Sequence, residues 1–183
     1  MDRLINELTV YSGIDNNRIP YNFHRINVAD YFGDCLEEVG MDLEQKGIEL
    51  NYSNYIQPDT IVIADPEQMK KVINNIISNS VKYMNKPKGA IDIRILDEAD
   101  SIRIEIEDNG KGIAQKDLSK IFERFYRTDA SRNSAQGGSG IGLSIVKKII
   151  EDHGGYIWAT SKEGEGTCMH FVLRKYMELQ NED

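Results

Sequence analysis

The sequence has no apolar run near the roughly 18 residues that a membrane-spanning helix needs, and no signal-peptide pattern. It has only two cysteines, Cys35 and Cys168, which lie in apolar patterns without metal-site spacing or a disulfide framework. These absences argue against a secreted disulfide-rich domain. They predict buried free thiols in a reducing compartment and therefore a cytoplasmic chain, whose parent protein could still be anchored to a membrane.

An excess of positive charge is also missing. The 22 lysines and arginines are outnumbered by 30 acidic residues, which gives a net charge of −8 and no dense basic patch. This balance argues against nucleic acid as the main partner. The 40% of hydrophobic residues suffices for a core, and a length of 183 residues predicts one globular domain.

Three common nucleotide-binding signatures are absent. No G-x-x-x-x-G-K-S/T loop occurs, and no H-R-D is followed by D-F-G, which excludes P-loop proteins and eukaryotic-type protein kinases. The run Gly138–Gly142 has G-x-G-x-G spacing with no strand leading into it, which disfavours a dinucleotide fold. A glycine-rich helix start does offer free backbone N–H groups to a phosphate, although this trio alone is weak support.

The order of hydrophobic patterns predicts an α+β fold, a two-layer sandwich with one mostly antiparallel sheet and helices on one face. Alternating isoleucines at 91, 93, 95, 102, 104 and 106 predict a central hairpin with one core face. The polar segment 128–138 has the composition of a mobile loop. The predicted helices cover 27–46, 65–84, 118–127 and about 141–152, and the predicted strands cover 20–24, 48–53, 61–64, 90–96, 101–107, 156–161 and 167–174.

The helix predicted from Asp65 to Met84 carries a polar stripe beside its apolar face. Asp65 and Pro66 suit the helix start, and Gln68 completes a capping-box pattern. Behind them Asn75, Asn79 and Lys82 fall on one stripe, with Tyr83 at its border. The stripe is either a solvated surface or a pocket wall, with carboxamide oxygens for a hard cation and Lys82 and Tyr83 for a phosphate.

Asp108 follows the second isoleucine strand and precedes Asn109-Gly110-Lys111-Gly112. It either caps its own turn or accepts a hydrogen bond from an adenine amino group, with glycines that let the backbone approach the ring. Arg124 and Arg127 allow a similar pair of interpretations, as an exposed helix face or as part of a lid that brings a guanidinium to a terminal phosphate.

Taken together, five motifs in order resemble the catalytic and ATP-binding domain of two-component sensor histidine kinases, over about residues 20–175. Asn75–Tyr83 is similar to the N box, Asp108–Gly112 to the first glycine box, and Ile121–Arg127 to the F box. Gly138–Leu143 is similar to the second glycine box, and Gly164–Thr167 to a smaller box on the last hairpin. The resemblance implies a Bergerat fold with a flexible ATP lid.

The resemblance also implies a role for each motif residue around ATP and Mg²⁺. Asn79 would ligate Mg²⁺ with help from Asn75, and Asp108 would bind adenine with support from Thr167. Asn75, Lys82 and Arg127 would serve catalysis, with Arg127 near the γ-phosphate. The remaining nucleotide contacts would come from Tyr83, Gly110, Lys111, Gly112, Ile113, Tyr126, Gly138, Ser139, Gly140, Ile141, Gly142 and Leu143.

One feature of that family is missing, namely an acceptor histidine followed by an acidic residue. His24, His153 and His170 are followed by Arg25, Gly154 and Phe171. The resemblance therefore implies a fragment: residues 1–17 as the end of a dimerisation helix or a linker, 18–177 as the catalytic domain and 178–183 as a frayed tail. Its expected partners are ATP, a histidine-bearing dimerisation domain and a response regulator, with a homodimeric parent and a monomeric fragment.

Three alternatives stay open at this point. One is an ATP-driven clamp of the same superfold, which needs a general-base glutamate on the helix upstream of the Mg²⁺ asparagine. The corresponding turn carries Lys71, and Glu67 lies two turns before Asn75, which disfavours hydrolysis. The others are a serine kinase acting on a protein and a nucleotide-binding regulator without catalysis.

Overall fold

The structure is a computed structural model that describes residues 19–124, 126 and 142–178. The described elements are four helices and seven strands. The helices are α1 (Val28–Gln45), α2 (Pro66–Lys82), α3 (Gln115–Leu118) and α4 (Gly142–Asp152). The strands are β1 (His24–Asn27), β2 (Ile48–Asn54), β3 (Ile61–Ala64), β4 (Gly89–Glu98), β5 (Ser101–Asp108), β6 (Tyr156–Lys162) and β7 (Gly166–Arg174).

Five strands form the main sheet in the order β2-β4-β5-β7-β6. Only the β2–β4 pair is parallel, so the sheet is mixed and mostly antiparallel as predicted. Strands β1 and β3 pair with each other in a separate two-stranded antiparallel sheet, which corrects the expectation of a single sheet. The chain thus has the predicted α+β architecture with one additional ribbon.

The two faces of the main sheet differ sharply. Ile91, Ile93 and Ile95 of β4 and the facing isoleucines of β5 are at most 1% exposed and belong to the core that the long helices also fill. The opposite face carries charged side chains such as Arg94 and Glu105, which are ion-paired. Because alternate residues of a strand point to opposite faces, the period-2 isoleucine pattern fixes which face is buried.

Helix α2 begins as its sequence predicts, with one exception. Asp65 Oδ1 accepts hydrogen bonds from the N–H groups of Glu67 and Gln68, at 3.0 and 3.2 Å, and Pro66 is the first helical residue. The side chain of Gln68 does not complete a capping box, since its Oε1 is buried without a hydrogen-bond partner. The N–H of Asp65 donates instead to His153 Nε2 at 3.0 Å, so a residue of another helix end completes the cap.

His153 therefore joins the C-terminal end of α4 to the start of α2. Because Nε2 accepts from Asp65, the ring proton lies on Nδ1 and is donated to the carbonyl of Ile149 at 2.7 Å. The ring also packs edge-on against Tyr21 and Phe23 of the preceding segment. Both ring nitrogens are thus occupied by backbone groups in the neutral form.

This junction predicts a pH-dependent stability. Burial lowers the pKa of His153, so its contribution to the free energy of unfolding is present above about pH 6.5, the ordinary histidine pKa, and is lost as the pH falls. His153→Ala should cost about 1–3 kcal/mol at pH 7.5 and weaken the pH dependence. Urea unfolding between pH 7.5 and 5 would measure this, and the exposed His24→Asn is the control. Equal pH profiles for wild type and His153→Ala would contradict it.

Other local predictions differ from the structure. The helix predicted over 118–127 is replaced by the single turn α3 and by turns at 119–124, and the edge strand predicted at 20–24 begins only at His24. The predicted lid (128–138) and Arg127, Gly138, Ser139, Gly140 and Ile141 lie outside the described residues. Within the described part, no helix combines the length and hydrophobicity that would let it cross a bilayer.

Candidate functional site

Asp108 lies at the C-terminal end of β5, at the edge of the core. Its Oδ1 accepts hydrogen bonds from the N–H groups of Gly110, at 2.9 Å, and Thr167, at 3.3 Å. The hydroxyl of Ser80, on α2, also favours the charged form of the carboxylate. Burial raises the pKa of Asp108 above its ordinary value, although Gly110, Ser80 and Thr167 oppose the shift. The carboxylate is therefore held in place at an energetic cost, which is typical of a ligand-binding group.

The backbone around Asp108 is packed so closely that glycine is required. A Cβ at Gly110 would lie 2.8 Å from the carbonyl oxygen of Tyr83. One at Gly112, whose φ is +74°, would lie 2.3 Å from the carbonyl oxygen of Lys162, and one at Gly166 would lie 1.9 Å from the carbonyl oxygen of Asp108. The turn after β5 thus packs directly on α2 and on the β6–β7 turn.

Hydrogen bonds of Ser161, on β6, also support the turn that follows β5. Ser161 Oγ accepts a hydrogen bond from the N–H of Ile113 at 2.8 Å, and it lies 2.8 Å from both the carbonyl oxygen of Gly166 and the hydroxyl of Thr167. Thr167 is buried. These bonds fix Thr167 beside Asp108, the residue that it is predicted to support.

Two lysines converge on Tyr83 at the C-terminal end of α2. Lys82 Nζ and Lys111 Nζ lie 5.2 and 4.6 Å from the centroid of the tyrosine ring. The N–H of Lys111 also donates to the carbonyl of Tyr83 at 3.2 Å. The pair places two positive charges next to the Asp108 turn, where a polyanion could be bound.

Asn75 and Asn79 are half-buried, whereas their neighbours Asn74 and Ser78 are exposed. The start of α4 lies against this side of α2, because a Cβ at Gly142 would be 3.4 Å from Asn75 Oδ1. Leu143 packs partly into the core beside them. The asparagine stripe thus faces a helix N-terminus, whose free N–H groups and dipole favour an anion.

Most predicted site residues within the described part gather along the C-terminal half of α2 and the turns packed against it. Tyr126 differs from these residues, because its hydroxyl donates a hydrogen bond to the buried Asp117 of α3. The contact of Tyr126 with nucleotide stays a prediction. The same holds for the roles of the five predicted residues outside the described part, namely Arg127, Gly138, Ser139, Gly140 and Ile141.

Sequence reasoning missed three supporting residues. Ser80 interrupts the apolar face of α2 with a buried hydroxyl, a signal that could have been read from the helical period. Lys86 Nζ donates to the carbonyls of Gly110 and Gly164, at 3.1 and 2.7 Å, and so ties the two turns together. Lys86 and Ser161 act through backbone contacts that no local pattern encodes.

Comparisons with known proteins identify the family of this chain. The family described as histidine kinase-, DNA gyrase B- and HSP90-like ATPase matches residues 64–177. The chain is 37% identical to sensor histidine kinase WalK of Bacillus subtilis (strain 168), over all of this chain and 30% of that protein. It is 35% identical to sensor protein kinase WalK of Staphylococcus aureus, over 94% of this chain and 41% of that protein.

The fold has solved counterparts as well. The catalytic domain of histidine kinase ThkA superposes with a TM-score of 0.71 at 27% identity, covering 84% of this chain and 96% of that structure. The chain spans less than half of the length of the WalK proteins that it matches. The chain belongs to the family of histidine kinase-, DNA gyrase B- and HSP90-like ATPases, and within that family it is homologous to the catalytic domains of sensor histidine kinases.

Proposed function

We propose that this chain binds Mg·ATP between α2 and α4 and transfers the γ-phosphoryl group to a histidine on a separate dimerisation domain, for relay to a response regulator. The observation that carries the proposal is the half-buried Asp108 carboxylate, which accepts hydrogen bonds from Gly110 and Thr167 at the end of β5. The family uses nucleotide, and the finer assignments below rest on the geometry of this chain.

At the adenine end, Asp108 supplies an acceptor with a fixed direction. Since Gly110 and Thr167 both donate to Oδ1, the other carboxylate oxygen is available to the Ser80 hydroxyl and to a ligand. An adenine amino group is a donor that fits such an acceptor. Gly110 and Gly112 let the turn pack against the backbone of Tyr83 and Lys162, which holds Asp108 in place.

At the phosphate end, the residues fit Mg²⁺ and a triphosphate. Mg²⁺ prefers oxygen ligands and keeps several waters, so the carboxamide oxygen of Asn79, with Asn75 one turn away, suits it when phosphate oxygens supply further ligands. Lys82, Tyr83 and Lys111 offer positive charge and a hydroxyl nearby. The N-terminal end of α4, at Gly142, adds backbone donors.

Catalysis in this arrangement consists of positioning and charge neutralisation. Mg²⁺ would offset the negative charge of the phosphates, and Lys82 would stabilise the charge that develops during transfer. Arg127 and the glycine-rich segment 138–141 are proposed to contact the phosphates as well.

The acceptor histidine is proposed to lie on another domain, because none of the three histidines of this chain precedes an acidic residue. His153 is held by backbone groups at both nitrogens, which leaves no lone pair for a phosphoryl group. Residues 1–17 are proposed as the link to that domain. The use of ATP and the free thiols of Cys35 and Cys168 suit a cytoplasmic catalytic domain.

An ATP-hydrolysing clamp is the second candidate within the family, and the start of α2 argues against it. Glu67 lies in the first turn, two turns before Asn75, and the intervening turn carries Lys71. The proposed Mg²⁺ ligand is Asn79, and no carboxylate lies between Glu67 and Asn79. A general base within the two turns before that ligand is therefore missing from this helix.

A phosphoryl-transfer assay tests the proposal. The chain is incubated with Mg²⁺, γ-labelled ATP and a separately produced dimerisation domain that carries the acceptor histidine. We expect acid-labile label on the supplied domain and none on the chain alone. Asn79→Ala should reduce labelling at least about tenfold, since a metal ligand is lost.

The matched control is Asn74→Ala, an exposed asparagine on the same helix, which should behave as wild type. Acid-labile label on the isolated chain would overturn the separate-acceptor assignment. Full activity of Asn79→Ala would overturn the metal-ligand assignment while leaving the kinase assignment intact.

A further inference from the structure

The polar face of the main sheet carries three potential metal ligands that the proposed function does not use. Cys168 and His170 lie two residues apart on β7 and point to the same face, and Glu105 pairs directly with His170 across to β5. One ligand atom from each residue lies within 4.8 Å of the other two. The face is opposite to the one that packs on the helices and the nucleotide site.

We propose that Glu105, Cys168 and His170 form a binding site for a divalent transition-metal cation of the zinc type. A sulfur, an imidazole nitrogen and a carboxylate oxygen together are a ligand set that Zn²⁺ accepts. Two ligands at i and i+2 of one strand with a third on the adjacent strand form a tripod, and the fourth position is left for water.

The measured separations suit coordination after small side-chain rotations. His170 Nδ1 lies 2.6 Å from Glu105 Oε2 and 4.0 Å from Cys168 Sγ. Tetrahedral bonds to Zn²⁺ of about 2.0–2.3 Å place such ligand atoms about 3.4–3.6 Å apart. These two separations therefore have to change by less than about 1 Å, which side-chain torsions can supply without moving the strands. The third pair, Glu105 and Cys168, lies within 4.8 Å.

Surrounding groups already orient the ligands. Thr160 Oγ1 lies 2.8 Å from His170 Nε2, and the ring of Trp158 stacks on the imidazole at 4.9 Å with an interplanar angle of 4°. Arg94 Nε bonds to Glu105 Oε1 at 3.3 Å, which leaves Oε2 directed at His170. Hydrogen bonds of this kind to the second atom of a ligand are typical of metal sites.

The net charge of the surrounding ion pairs is also compatible with a bound cation. In the ion-pair network of this face, Arg94 and Arg103 face three glutamates, Glu98, Glu105 and Glu107. The network therefore has one net negative charge. A divalent cation together with a Cys168 thiolate would bring it to zero, so occupancy does not build up like charge.

Coordination has a simple proton balance. A neutral His170 ring moves its proton from Nδ1 to Nε2, where Thr160 accepts it, and the Nδ1 lone pair binds the cation. The Cys168 thiol releases its proton to solvent as Sγ binds. Cys168 lines an open depression with Asp92, Glu107 and Thr160, which gives a cation a path from solvent.

Calorimetric titration of the tag-free, metal-stripped chain with Zn²⁺ tests the site. We expect one equivalent to bind, and Cys168→Ser, His170→Asn and Glu105→Gln each to weaken binding at least about tenfold. Titration with Co²⁺ gives a second readout, since a thiolate ligand produces a sulfur-to-cobalt charge-transfer band in the near ultraviolet. Circular dichroism establishes that each variant is folded.

The chain provides matched controls for the thiol and the imidazole ligand. Cys35→Ser changes the other thiol and His24→Asn an exposed histidine, and both should bind Zn²⁺ as wild type does. Zn²⁺ affinity that is the same in wild type and Cys168→Ser would overturn the proposal. So would a charge-transfer band that survives Cys168→Ser or that is lost in Cys35→Ser.

Discussion

Asp108→Asn should lower the affinity for ATP about 100-fold or more while the protein stays folded. A hydrogen bond to a charged acceptor contributes about 1.5–3 kcal/mol, and a mismatched donor pair costs more. Gly110 and Thr167 both donate to Oδ1 of Asp108, so the amide oxygen of the asparagine should replace Oδ1. Its NH₂ group should then replace the other carboxylate oxygen, Oδ2. That NH₂ would then face the amino group of adenine, donor against donor.

The same geometry predicts a reversal of base preference. Inosine triphosphate carries an acceptor oxygen where ATP carries the amino group, so Asp108→Asn should bind it more tightly than the wild type does. Calorimetric titration of both proteins with both nucleotides measures this exchange. Asp92→Asn is the control, since Asp92 bonds to Asn51 on the opposite sheet face. An unchanged preference would remove Asp108 from the adenine site.

Stability separates loss of binding from loss of structure in this variant. Burial raises the pKa of Asp108, so the folded state favours the protonated form. The stabilising contribution of such a group is present below its unfolded pKa, about 3.9, and is lost as the pH rises. At pH 7 the charge therefore costs stability, and Asp108→Asn should unfold at the same urea concentration as wild type or a higher one.

Gly166→Ala should destabilise the protein by about 3 kcal/mol or more, through strain and overpacking. Gly166 has a φ of +136°, which side chains of L-residues rarely adopt, and its Cβ would lie 1.9 Å from the carbonyl oxygen of Asp108. Relief requires β7 to move away from β5 at the Asp108–Thr167 pair. Nucleotide affinity should therefore fall together with stability.

Gly164→Ala is the matched control in the same turn. Gly164 also has a positive φ, +81°, but its Cβ would meet nothing within 4 Å. Only the backbone penalty of about 1–2 kcal/mol remains. Urea unfolding of both variants, with ATP titration of the folded fraction, measures the difference. Equal losses of stability would show that the close contact with Asp108 is not decisive.

The parts of this fold that follow from local patterns could be predicted from the sequence. The isoleucine alternation specifies β4 and β5 with their buried face, and Asp65-Pro66 marks the start of α2. Spacing and motif order also predict the site residues of α2 and of the Asp108 turn, and the structure places these two segments in contact. Their binding of nucleotide stays a prediction.

What the sequence could not reveal depends on contacts between distant segments. The partner of the Asp65 N–H is His153, 88 residues away, and it takes the position expected for Gln68. The β1–β3 ribbon is a pairing across the whole of α1 and β2. In the segment after α3, turns replace a predicted helix, and Tyr126 bonds to Asp117. Tertiary contacts override local propensity at such places.

The strand order has a consequence for folding kinetics. Strands β4 and β5 are joined by a tight turn at Ala99 and Asp100, whereas Asp108 meets Thr167 across 59 residues. Because closing a long loop is slower than closing a hairpin, we expect β4 and β5 to pair early and β7 to dock late. The contact between Asp108 and Thr167 would then be absent from the transition state, and a ligand bound to Asp108 should slow unfolding without accelerating folding.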